Sequence, residues 1–347
     1  MSTAIVILIF LAACLTTAAG LWAFLRIQPR LGLLDVPNER SSHTTPIPRG
    51  GGVVVVSVIL VSYVLATYSL GTSLDIVFLV TCLLIAVVSL ADDLRPLPLL
   101  PRLLTHFAAA SLLVWFNGGY TGVDSETLGL HIQFGRIGPI LSVLFIVWMI
   151  NAYNFMDGID GILGTQCLVA GVAWAVCGAI FGSLDLIVLG IAIGGSCLGF
   201  LFFNWQPAKV FMGDVGSTVL GFALATAPLI SNETSDLKQN SLFALSLCFS
   251  TLFLFDTLYT RIALVINGFK FWLPHREHLY QKLVRAGVSH RIVSGYFGVA
   301  GGATAAVGLF AVSNGGIFAA AVLLVAAVSC LALFIWAGKK HIDVNIG

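Results

Sequence analysis

The chain has 347 residues, 58% hydrophobic and 10% charged, with a net charge of +1 and a mean hydropathy of +1.00. A soluble domain carries about a quarter of its residues as charges, so this composition excludes a soluble globular protein, and the near-neutral balance argues against a nucleic-acid-binding surface. The seven cysteines lie in apolar stretches without a CxxC pair, which points to small core or lipid-facing residues rather than a disulfide frame or a zinc site.

Taken in chain order, apolar segments that approach the length of a bilayer crossing fall at 4–25, 52–71, 74–91, 103–118, 136–151, 162–182, 185–204, 215–231, 241–265, 293–313 and 316–337. They predict an all-α fold: a polytopic integral membrane helix bundle with about eleven transmembrane helices, forming one domain over 1–347. The first segment has no preceding basic region and reads as a retained span rather than a cleaved signal peptide. Short loops rich in Lys and Arg face the cytoplasm. With the N-terminus outside, Arg26, Arg30, Arg40, Arg49, Arg95, Arg102, Lys209, Arg261, Lys270, Arg276, Lys282, Arg285, Arg291, Lys339 and Lys340 fall inside. Arg136 and Lys238 alone fall outside. The inside loops, 26–52, 92–102, 151–161, 205–216 and 267–292, are also the chemically rich ones. Pro37, Pro46 and Pro48 break any helix in the first of them, and Gly50 to Gly52 would let the next helix pack closely.

The polar stretch NAYNFMDGIDG at 151–161, flanked by apolar segments, is the centre of the chain. Ionisable groups at the edge of spans are costly and are read first as functional. The inside face collects Asp92, Asp93, Asn151, Asn154, Asp157, Asp160, Asp214, His275, Arg276 and His278 from distant parts of the sequence. Carboxylates on several helix ends, with amides and cations beside them, suit a divalent cation and phosphates. Magnesium takes one or two carboxylates together with phosphate oxygens and waters. Adjacent Asp92 and Asp93 face different ways on a helix, so one can meet a metal and the other a substrate group; a solvated helix cap is the bland alternative. Asp157 and Asp160 share a face if helical, or Asp160 caps the following span. Phe211, before Gly213 and Asp214, can stack on a nucleobase or sit at the lipid interface. His275, Arg276 and His278 supply donors for phosphate or bind anionic lipid. Asp256, with Arg261 near it, reads as a structural pair, and His43, His106, His131, His290 and His341 as structural or solvated.

NAYNFMDGIDG, FMGDVGS, the Asp92-Asp93 pair and DVPNERSSHTTPIPRGGG together resemble the polyprenyl-phosphate N-acetylhexosamine-1-phosphate transferases of glycosyltransferase family 4. The resemblance covers 30–292. It implies transfer of a sugar-1-phosphate from a UDP-N-acetylhexosamine to undecaprenyl phosphate, with release of UMP, at the cytoplasmic face of a bacterial inner membrane. It implies that Asp92 and Asp93 handle the lipid phosphate and catalysis, and that Asn154 and Asp214 hold Mg2+, with Mn2+ as the alternative ion. Phe211 and Asp160 would contact the uridine part, Asp157 the sugar-phosphate end, and His275, Arg276 and His278 the diphosphate or sugar. A homodimer is compatible with it.

The chain departs from the family pattern twice. Leu100 stands where many members carry a lysine, with Arg102 the nearby cation, and Tyr280 and Gln281 replace further histidines in HREHLYQ. The second departure is closer to the O-antigen initiators, which leaves N-acetylglucosamine, N-acetylfucosamine and N-acetylquinovosamine as donor sugars and O-antigen synthesis as the expected pathway. A secondary transporter, whose carboxylates would lie near the bilayer midplane, and a noncatalytic scaffold are the competing classes.

Overall fold

The computed structural model describes residues 3–31, 33–36, 45–125, 130–231, 239–268, 277–314, 325–336 and 338. The chain runs α1 (Thr3–Leu31), a two-stranded ribbon of β1 (Leu34–Asp35) and β2 (Ile47–Pro48), then α2 (Gly51–Leu70), α3 (Ile76–Leu94) and α4 (Leu99–Asn117). A hairpin of β3 (Gly122–Ser125) and β4 (Leu130–Gln133) leads to α5 (Gly138–Met156), α6 (Ile162–Phe181), α7 (Leu184–Asn204) and α8 (Asp214–Ile230). The last elements are α9 (Gln239–Phe249), α10 (Thr251–Ile266), α11 (Leu279–Arg285), α12 (His290–Asn314) and α13 (Val325–Trp336).

The all-α membrane bundle is as expected, but the number of spans is not. Among the described residues eight helices, α1 to α7 and α12, are long and apolar enough to cross a membrane, and α9 with α10 makes a ninth if the pair is one span. The expected span at 215–231 is α8, only 17 residues long, and that at 316–337 contributes the shorter α13. α8 is also central: every residue from Val215 to Ile230 is buried. α1, α3 and α4 are the least covered of these spans, and residues such as Leu8, Leu83 and Leu104 remain exposed on them.

Lipid tails give helices no hydrophobic reason to associate, so close backbone packing takes over. A Cβ on Gly171 would lie 2.6 Å from the amide nitrogen of Gly194, which lets α6 and α7 touch along their backbones. The same device joins α2 to α8, where a Cβ on Gly52 would lie 2.4 Å from the nitrogen of Gly216. α9 and α10 meet at a 73° bend. The backbone groups freed there find side chains. Gln166 Nε2 donates to the carbonyl of Phe249 at 2.6 Å, and the hydroxyls of Tyr153 and Ser250 are 2.9 Å apart. A break at membrane depth is tolerated only when protein satisfies it in this way.

Candidate active site

The last turn of α3, the end of α5 and the first residues of α2 and α8 meet at one end of the bundle. Backbone pairing aligns them. Phe211 N–H donates to the carbonyl of Pro48 at 2.8 Å, and Gly51 and Gly52 N–H donate to the carbonyls of Phe211 and Met212 at 3.0 and 2.7 Å. Asn204 secures the far side of the 205–213 loop, accepting from Gly161 N–H at 2.8 Å and donating to the carbonyl of Val210 at 2.9 Å. Two loops distant in sequence are thereby zipped together, and Arg49 is placed beside Asp214.

Asp214, the first residue of α8, is the hub. Arg49 Nη2 lies 2.8 Å from Oδ1 of both Asp214 and Asp93. Arg102 bridges Asp92 at 2.9 Å and Asp214 at 3.3 Å. Asn154 lies close enough to the Asp214 carboxylate to favour its charged form, and donates to Ser217 Oγ at 3.0 Å. The carboxyls of Asp92 and Asp214 are within hydrogen-bonding reach of each other. Two acids so close are both ionised only with a cation between them, and Arg102 bridges this pair.

The members of each acid pair part company. Asp93, its side chain 2% exposed, accepts from the N–H groups of Asp214 at 2.9 Å and Val215 at 3.2 Å. It caps α8 from another helix, a task that Gly213, which has no side chain, cannot do. Asp92 accepts from Leu97 N–H at 2.6 Å and otherwise faces the cluster. The stretch 157–161 is a turn, because α5 stops at Met156 and α6 starts at Ile162. Asp157 and Asp160 therefore do not share a helix face. Asp157 feels Asp214, Arg49 and Asp93; burial first, and then the Asp214 charge, push its carboxyl up to about 7. Asp160 turns the other way. Its Oδ2 accepts from Ala208 N–H at 3.1 Å and its Oδ1 lies 3.3 Å from Nδ1 of His290, while its carbonyl takes the Ser294 hydroxyl at 2.7 Å. It does not cap α6, whose N-cap is Gly161 with φ 81° and no side-chain bond.

Phe211 is half-buried next to Arg49, with which it forms a bridge. His278 is buried with its ring 6.5 Å from that of Phe155. His275 and Arg276 lie outside the described residues. Asp256 does not pair with Arg261. It accepts from His278 and from the first turn of α11, and the Arg261 guanidinium stacks over Phe155 at 4.6 Å.

Sequence reasoning passed over Arg49 as a site residue, counting it only as an inside charge. The clue was its place in IPRGGG, directly before a glycine-started helix. Arg102 was noted as the cation nearest Leu100, where many members carry a lysine, and it pairs with Asp92 and Asp214. Leu100 is exposed.

Among the described residues no group of three or more His, Cys, Asp and Glu side chains could hold a metal by itself. The oxygen donors that do converge, Asp214, Asp92 and Asn154, match the sparse protein share that magnesium takes when phosphate oxygens and water complete its shell.

A membrane bundle with carboxylates and guanidiniums clamped at one end defines an integral membrane enzyme that handles phosphate groups. Residues 76–232 match the profile of glycosyl transferase family 4. A probable undecaprenyl-phosphate N-acetylglucosaminyl 1-phosphate transferase of Bacillus subtilis (strain 168) is 27% identical over 83% of this chain and 79% of its own. A decaprenyl-phosphate N-acetylglucosaminephosphotransferase of Mycobacterium leprae (strain TN) is 30% identical over 76% and 73%. A phospho-N-acetylmuramoyl-pentapeptide-transferase of Moorella thermoacetica is 34% identical over 40% and 48%. The chain belongs to glycosyl transferase family 4, the polyprenyl-phosphate N-acetylhexosamine-1-phosphate transferases, and is a sugar-1-phosphate transferase.

Proposed function

We propose that the enzyme transfers N-acetylhexosamine-1-phosphate from a UDP-sugar to undecaprenyl phosphate, releasing UMP, and so starts a lipid-linked cell-surface polysaccharide. The observation that carries this reading is the convergence of Asp92, Asp214, Arg49 and Arg102, from four separate segments, at one end of the bundle. A transporter would hold such acids near the middle of its spans; here they occupy helix ends. The excess of Lys and Arg on that side supports a cytoplasmic site in a bacterial inner membrane. The relatives named for N-acetylglucosamine favour UDP-N-acetylglucosamine as donor. O-antigen is one polymer such a step would start; the names of the relatives speak for no particular polymer.

The acceptor phosphate is an anion at neutral pH and needs little help from a base. The difficulty is to bring it to a diphosphate. Arg49 and Arg102 supply positive charge on either side of Asp214, in a site where preorganised charge outweighs mobile solvent. Asp214 and Asn154 would hold Mg2+, with Asp92 beside them, and the ion would neutralise phosphate charge when bound. Asp92 faces the acceptor phosphate. Asp157 stands at the sugar-phosphate end and Phe211 stacks on uracil. Asp93 and Asp160 act from behind, holding the α8 start and the 205–213 loop.

Transfer of radiolabelled sugar phosphate to extracted undecaprenyl phosphate, with and without a chelator, tests the reading. Label in the lipid phase that depends on added Mg2+ is the expected result; no transfer from any UDP-N-acetylhexosamine would sink it. Mass spectrometry of the lipid product across a panel of UDP-sugars then gives the sugar.

A further inference from the structure

α10 carries an acid that the carboxylate–guanidinium cluster does not use. Asp256 is fully buried, in a helix that starts directly after the 73° bend. A carboxylate there is costly unless donors surround it. Its Oδ1 accepts from Leu279 N–H at 2.9 Å and from Thr260 Oγ1 at 3.1 Å, and lies 3.0 Å from Nδ1 of His278. Its Oδ2 accepts from Tyr280 N–H at 3.2 Å. The same carboxylate therefore ties down the first turn of α11 and sets the direction of the His278 ring.

The contacts continue toward the site. The Tyr280 hydroxyl donates to the carbonyl of Phe155 at 3.1 Å. It lies so close to Gly158 that a Cβ there would sit 2.1 Å from it. Phe155 and Gly158 flank Asn154 and Asp157. Hydrogen bonds thus join Asp256 to Phe155, the chain neighbour of Asn154.

We propose that Asp256 is a positioning residue for sugar-phosphate transfer and acts through His278. It holds Nδ1–H of the imidazole toward α10, which turns Nε2 away from α10 as the atom that meets the donor's diphosphate or sugar. This deepens the transferase reading and rests on His278 as a donor-binding residue. Tyr280 and Gln281 gain a purpose in the same arrangement: Tyr280 bolts α11 to α5, and Gln281 Oε1 accepts from His278 N–H at 3.4 Å.

The test is a double-mutant cycle on the full-length enzyme, using the UDP-sugar found active in the panel and undecaprenyl phosphate. Asp256→Asn should lower kcat roughly 10–100-fold, as removing a partner that orients a functional imidazole does. In a His278→Gln background the same change should cost less than about threefold, because the residue it acts through is gone. Melting temperatures of all four forms are measured alongside. Equal losses of kcat in both backgrounds would reduce Asp256 to a cap for α11 and overturn the proposal, and so would an unchanged kcat in Asp256→Asn. Should Asp256→Asn fail to fold, Thr260→Val removes one donor to the same oxygen. It should lower kcat roughly 2–10-fold, the weight of one hydrogen bond, in the wild-type background alone; equal losses in both again overturn the proposal. A wild-type rate in His278→Gln overturns this inference and leaves the Asp214 test of the transferase reading standing.

Discussion

The end of α3 and the turn between α5 and α6 each offer two acids, and the two regions divide them in the same way. Asp92 and Asp157 look into the cluster around Asp214. Asp93 and Asp160 look back into the framework, where each accepts backbone N–H groups of the segment that carries Asp214 or of the loop before it. The regions differ in how the division is made. On α3 the acids are adjacent on a helix, and the rotation per residue separates them. In 157–161 the chain leaves the helix, and a glycine in the left-handed region at Gly161 turns it. The lesson is that backbone N–H groups from the segment carrying Asp214, or from the loop before it, tie Asp93 and Asp160 to the framework, while Arg49 still reaches Asp93 and Leu97 N–H still reaches Asp92.

That comparison can be broken at several points. The largest effect belongs to the hub. Asp214→Asn should abolish transfer while the protein still inserts, since a neutral amide is a poor partner for two arginines and for magnesium; turnover near wild type would remove Asp214 from the site. Next come the adjacent acids. Asp93→Asn should lose both activity and stability, the latter by about 0.5–2 kcal/mol as for other helix caps, whereas Asp92→Asn should lose activity at an unchanged melting temperature. Equal melting temperatures for the two would erase the distinction.

Arg102→Ala should slow transfer and leave Leu100→Lys, on the exposed face of α4, tolerated in the wild-type background. Severe loss from Leu100→Lys would show that the arginine and the family lysine are not alternatives. Phe211→Ala should raise KM for the UDP-sugar by the equivalent of about 1–3 kcal/mol of stacking; an unchanged KM would return Phe211 to the lipid interface.

The smallest effect is on stability against pH, measured with chelator present. The folded Asp157 carboxyl titrates at about 7, above its ordinary value of about 3.9. The fold therefore favours the protonated form. Nothing is lost below the ordinary value, and stability falls as pH rises through about 7. Asp157→Asn should melt with wild type at pH 4 and above it at pH 8, by about 2–4 °C for each kcal/mol. A gap that does not grow with pH would show that burial and the Asp214 charge together do not raise this carboxyl.

The sequence by itself determined that this is a polytopic membrane bundle, because nothing but lipid can cover so much apolar surface. It also determined which polar islands break that surface, because each is costly at a span end and so stands out. It named Asp92, Asp93, Asn154, Asp157, Asp160 and Asp214 for that reason. Only the tertiary structure decided how many helices are long enough to cross, since hydropathy does not fix where a helix such as α8 begins and ends. Only it separated Asp93 from Asp92 and Asp160 from Asp157, joined Asp256 to His278 instead of Arg261, and brought Arg49 to Asp214. Hydrogen bonds between segments far apart in the chain leave no periodic trace in either one, so their partners become visible only when the helices are packed.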